Sequence, residues 1–277
     1  MVSTGSTTGS GSTTGSGSTG RFLAPRLADY WLTVAKRTWK GTVVSSFVVP
    51  FLYIIAMGVL LGGFIHRPAA QLDGASSYLA FVAPGMVAAQ SMTTVFGEVT
   101  YPVMGMVKWH RTYYGMIATP LKPSDVVLAH LGFVVFRVGL VAGVFLLVMS
   151  PFGVFESVWG VLVAWLVQML IGLAFAAPIY GLSAGLNNDS VFALIFRLGM
   201  IPLFLFSGAF FPVSNLGPTL EWFARITPLW HGVDLTRMLV LGNIDGPLAL
   251  VHVGYLLVLA GVGTWWAIHR LTRRLIS

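Results

Sequence analysis

Few side chains in this sequence can do chemistry, and three of them lie where charge is costly. Glu98, Arg137 and Arg197 interrupt long apolar runs. A carboxylate and a guanidinium in such runs can pair with each other, or one of them can meet a counter-charge on a passing ligand. Neither arrangement breaks a bond. Catalysis would need acid–base groups converging on one point, and the sequence shows no paired carboxylates and no His-Asp cluster. His66, His252 and His269 are scattered, without a metal-binding spacing such as His-Glu-x-x-His. His110 and His231 read as hydrogen-bonded surface residues. Cysteine is absent, which excludes disulfides, zinc–thiolate sites and cysteine nucleophiles. No Gly-x-x-x-x-Gly-Lys-Ser/Thr phosphate loop occurs, and the glycine-containing run Leu60–Ile65 lacks the lysine. No catalytic residue, metal or cofactor is therefore expected in this chain.

The elements that carry these residues follow from composition. The chain has 277 residues, 56% of them hydrophobic and only 9% charged, with a mean hydropathy of +0.83. A soluble domain carries about 25% charged residues. Period-2 alternation is lacking, which argues against a β-barrel. The expected fold is an all-α polytopic membrane protein with six transmembrane helices, at about 43–65, 78–107, 126–149, 158–183, 191–211 and 248–268. A crossing takes about 20 helical residues. The second run is longer and holds Pro84 and Pro102, so a kink is expected. Residues 1–24 read as a disordered Gly/Ser/Thr tail in which Ser6–Gly11 is repeated at Ser12–Gly17, and this is no signal peptide.

Residues 25–42 read as an amphipathic helix. Arg26, Asp29, Thr33, Lys36, Arg37 and Lys40 share one face, and Leu27, Tyr30, Trp31 and Val34 share the other. Such a helix lies in the membrane interface, with Lys36, Arg37 and Lys40 as anchors; the alternative is an extension of the first span.

Orientation follows the basic residues. The N-terminal arm has Arg21, Arg26, Lys36, Arg37 and Lys40, the loop after span two has Lys108, Arg111 and Lys122, and the tail has Arg270, Arg273 and Arg274. The opposite side has Arg67, Arg225 and Arg237. Both termini are thus expected in the cytoplasm of a bacterial cell, with the chain in the inner (plasma) membrane. The net charge of +7 is mostly this asymmetry, not a nucleic-acid site.

At helical rise, Glu98 sits ~14 Å and Arg137 ~16 Å from the cytoplasmic side. The matched depths predict a Glu98–Arg137 pair, which either locks two helices or faces an inward cavity that greets an anionic head group. Arg197 is shallower and can snorkel. Gln90, Thr93, Thr94 and Gln168 suit either a pathway or helix–helix hydrogen bonds. Ser124 or Asp125 can cap the third span, and Asn187, Asn188 and Asp189 the fifth.

Two segments remain. Lys108, Trp109, His110, Arg111, Tyr113 and Tyr114 form a basic, aromatic run ahead of Pro120 and Pro123. It suits either partner contact or interfacial anchoring. After span five, 220–228 and 229–238 are amphipathic and too short to cross. They read as external or re-entrant half-helices, with Pro218 starting the first and Thr227-Pro228 dividing them.

Tyr78–Gln90, Arg111–Asp125 and Leu205–Arg237, in this order, resemble the permease subunits of type-2 ABC exporters, and most closely the nodulation-factor and daunorubicin-type export permeases. The resemblance implies that 25–42 is a connecting helix and that the Lys108–Thr119 segment is a coupling helix seated on a separate ATPase. It also implies two ATPase subunits holding ATP and Mg, and a second permease, identical or homologous. An amphipathic lipid, glycolipid or drug-like substrate would leave the cell. The alternatives are a lipid-modifying membrane enzyme and an ion-coupled secondary transporter; the latter would show internal repeats, which are not evident.

Overall fold

A computed structural model describes residues 27–53, 55–56 and 72–276. Helix α1 spans Ala28–Tyr53 without interruption. The expected division at 42/43 is absent, because Gly41 alone costs a helix only about 1 kcal/mol. Apart from residues 55–56, the rest of the first expected span lies outside the described residues, as does the Gly/Ser/Thr tail.

The second run forms α2 (Tyr78–Val99), α3 (Tyr101–Met104) and a wide turn at Gly105–Trp109. Ser77 caps α2 by accepting the Ala80 N–H at 3.1 Å. The break at Thr100 has a direct cause. Pro102 has no N–H for the carbonyl four residues earlier, which belongs to Glu98. The short helix α4 follows at Thr112–Ile117.

Helices α5 (Pro123–Met149) and α6 (Val158–Gly185) are long and apolar. The backbone N–H of Lys122, the residue just before α5, donates to the Asp125 carboxylate at 3.1 Å. Asp125 thus acts from the third helical position rather than as the cap itself. The fifth run is a shorter composite: α7 (Ser190–Leu194), a wide turn at Ile195–Met200, and α8 (Ile201–Leu205). It stops short of 211 because the chain turns at Ser207-Gly208, where Gly208 takes φ +77°. Helices α9 (Pro218–Ile226) and α10 (Pro228–Val240) are the two short amphipathic pieces. Helix α11 covers Gly246–Ile276, longer at its C-terminal end than the sixth expected span.

Among the described residues, four helices are long and apolar enough to cross a membrane: 78–109, 123–152, 158–185 and 246–276. Helix α6 stands at the centre of the bundle, against α2, α5, α10 and α11. Its seam with α11 is close because Gly263 admits Pro178; a Cβ there would stand 2.6 Å from the proline ring. Buried Ile171, Tyr180, Leu229 and Val233 fill the core around α6.

Candidate functional site

At the end of the bundle that carries Lys108 and Arg274, the chain leaves α3 through the wide turn and bends at Arg111, which has φ +51°. This bend is why no single helix covers 108–119. Lys108, Trp109, His110, Arg111 and Tyr114 are all exposed. Lys108 Nζ donates to the Asn187 carbonyl at 2.9 Å, and the Tyr114 hydroxyl donates to the Arg274 carbonyl at 3.2 Å. The segment is thereby tied to the α6–α7 turn and to the end of α11. Asn188 Oδ1 accepts the Ser190 N–H at 3.2 Å at the start of α7.

Tyr113 departs from the expected set. It is fully buried, so it cannot meet a partner surface, and its hydroxyl lies 2.6 Å from His130 Nδ1. Burial pushes its phenol well above the usual range, so at neutral pH it is an O–H donor. A helix of six residues is too short to hold itself together, and Tyr113 is the side chain that roots α4 in the bundle.

Deeper in the bundle, Arg137 Nη2 lies 2.8 Å from Glu98 Oε1. Arg137 Nη1 also donates to Thr38 Oγ1 at 3.1 Å. One guanidinium therefore joins α5 to α2 and α1. Arg197 is exposed and stands apart from this pair. Lys36, Arg37 and Lys40 are exposed along α1, while Trp31 of the same helix and Leu27 just before it are buried. Gln168 serves helix–helix bonding: its side chain accepts from Ser91 of α2 at 3.0 Å and donates to Thr236 of α10 at 2.9 Å. Thr93 and Thr94 bond to their own backbone carbonyls four residues earlier.

Sequence reasoning missed a cluster at the opposite end. His231 is buried rather than a surface residue, and its Nδ1 lies 2.7 Å from His252 Nδ1. His252 Nε2 lies 3.0 Å from Asp234 Oδ2, and the Tyr255 ring stacks on His231 at 4.0 Å between centroids. Close by, Arg237 is buried over the Phe81 ring, with Nη2 donating to the Gly208 carbonyl at 2.6 Å and Nη1 lying 3.4 Å from Asp73 Oδ2. Burial raises the Asp73 carboxyl more than the Arg237 charge lowers it. The available signal was weak: two histidines 21 positions apart, on elements joined by a short connection.

This cluster has a pH consequence. Burial, then the neighbouring His252, lowers His231 from 6.5 to about 4, against an opposing pull from Asp234. The unfolded chain accepts a proton near 6.5, while the folded chain resists until about 4. Stability from His231 is thus fully present above pH 6.5 and is lost as pH falls toward 4. The detergent-solubilised protein should melt several degrees lower at pH 5 than at pH 7.5, and His231→Gln should shrink that difference. A difference of equal size in the variant would assign it to other groups.

Comparison with known proteins places the chain. Residues 27–241 match the ABC-2 type transporter family. The chain is 31% identical over 255 residues to nodulation protein J of Rhizobium leguminosarum bv. trifolii, covering 89% of this chain and 94% of that protein. It is 31% identical over 231 residues to nodulation protein J of Rhizobium meliloti, with 81% and 84% covered. It is 26% identical over 219 residues to the inner membrane transport permease YadH of Escherichia coli, with 76% and 80% covered. The match runs from residue 27 to residue 241, just past α10, so the segment around Lys108, the Glu98–Arg137 pair and His231 and Asp234 of the histidine cluster fall inside it while His252 lies beyond it, and this chain belongs to the ABC-2 type transporter family.

Proposed function

We propose that this protein is the membrane-spanning permease of an ATP-driven exporter, with ATP and Mg held by two copies of a separate ATPase. The observation that supports this reading best is the Lys108–Ile117 segment. It places two cations and two large aromatics, Trp109 and Tyr114, on the surface beside the cation-rich end of α11. Exposed aromatics interleaved with basic residues suit a protein partner of complementary shape and charge. This end of the bundle is the cytoplasmic one by its excess of Lys and Arg. One similar protein is named for the inner membrane and another for nodulation; an inner-membrane location and an amphipathic substrate of lipid, glycolipid or drug-like type fit that company. Two permease chains pair around the pathway, each crossing six times: the four long helices, the α7–α8 run, and the run that α1 begins.

The test is purification from native membranes in mild detergent. ATP hydrolysis that follows this chain through affinity and size-exclusion steps supports the reading. An isolated chain with no hydrolysing partner under conditions that keep it folded would end it.

Within this reading the Glu98–Arg137 pair is a lock between helices rather than a substrate site. Arg137 already meets Thr38 as well, so all three helices depend on it. Glu98→Gln and Arg137→Gln should each lower thermal stability, and the double variant should lose at least ~1 kcal/mol less than the sum. Strict additivity would mean that no lock exists.

A further inference from the structure

We propose that Tyr113 is the transmission point of α4: its hydroxyl, held by the buried His130, carries displacement of that helix into α5, α1 and α6. The proposal rests on reading α4 as the element that an ATPase moves.

Three observations carry it. The first is that Tyr113 is the buried member of α4, whereas Lys108 and Tyr114 hold the segment through exposed bonds. Exposed bonds are replaceable by water and transmit little; a bond inside a close-packed interior does not yield in the same way. The second is the contact itself: the Tyr113 hydroxyl lies 2.6 Å from Nδ1 of the buried His130 ring, which joins α4 to α5 by a side-chain hydrogen bond inside the core. The third is the packing of that ring. Trp31 of α1 lies 4.4 Å from it between centroids and stacks in turn on Phe133 at 4.6 Å. Tyr180 of α6 meets it edge-on at 5.4 Å. A push on α4 therefore arrives at one imidazole on α5 that also packs against α1 and α6.

The absence of cysteine makes the test direct. Leu32→Cys on α1 and Val158→Cys at the far end of α6 are exposed positions for spin labels. The distance between them is measured in the purified complex with its ATPase, without nucleotide and with a non-hydrolysable ATP analogue. The wild-type complex should show a nucleotide-dependent shift. Tyr113→Phe keeps the ring and its burial, so the ATPase should still co-purify while the shift falls to less than half. His130→Leu should do the same. His130→Asn offers both an acceptor and a donor and should restore most of the shift, which a purely space-filling role would not predict. A full shift in Tyr113→Phe, equal behaviour of the leucine and asparagine variants, or a wild-type complex without any shift overturns the proposal. Failure of the wild-type chain to bind any ATPase is a different outcome: it ends the reading of α4 as the coupling element, and this proposal with it.

Discussion

Reversing two charges, Lys108→Glu with Arg111→Glu, should strip the ATPase from the permease at least tenfold while the chain still inserts and folds. Both side chains are exposed at the basic end of the bundle. A favourable exposed ion pair is worth only ~1 kcal/mol or less, but a reversed charge in an interface replaces attraction with repulsion, and like charges there cost several kcal/mol. Two reversals together pass the ~1.4 kcal/mol that a tenfold change requires. Lys108 also bonds the Asn187 carbonyl, so Lys108→Gln is the control that removes this bond without reversing charge. The control should retain most of the ATPase. The readout is ATPase recovered per permease after affinity purification, at low and at moderate salt. Equal recovery from the wild type and the double reversal would remove 108–111 from the contact surface.

The largest effect on stability should come from a single methyl group. Gly160 sits in the first turn of α6, where a Cβ would overlap the Leu239 carbonyl oxygen of α10. The surroundings leave no slack. Ser157 caps this turn by accepting the Gly160 N–H at 3.0 Å, and the neighbouring Glu156 N–H donates to the Val240 carbonyl at 3.1 Å. A backbone carbonyl at the end of a packed helix cannot rotate away as a flexible side chain can. Gly160→Ala should cost ~3 kcal/mol or more, above the usual range for overpacking. Gly132 of α5 is the contrast. Nothing stands within 4 Å of its added Cβ, so the same substitution there should be neutral or slightly stabilising. Thermal unfolding of the two variants in the same detergent reads the difference. Equal melting temperatures would mean that α6 and α10 are not held at this separation.

Much of the helical plan was legible because apolar runs of span length are long-range signals that need no knowledge of partners. The Glu98–Arg137 contact could be anticipated for the same reason: two residues at equal height on neighbouring helices can be found by counting helical rise. Depth counting fails where the backbone is irregular. His231 and His252 lie on either side of a turn whose geometry no periodicity describes, and their contact was missed. Tyr113 was misassigned for another reason. In a six-residue helix, two adjacent tyrosines give no face by pattern alone; the bend at Arg111 decides which one points inward.

The two wide turns, Gly105–Trp109 and Ile195–Met200, have a consequence for how this chain tolerates a change of length. Each holds about one residue more than a regular helical turn requires. Deleting one residue from either stretch lets the helix close to its ordinary pitch while everything downstream keeps its face. The same deletion in the middle of α6 would rotate the remainder of that helix by about 100° and turn its buried side chains toward lipid. A scan of single-residue deletions should therefore find permissive positions at these two stretches, with Gly199 the mildest of them, and not in the straight helices between.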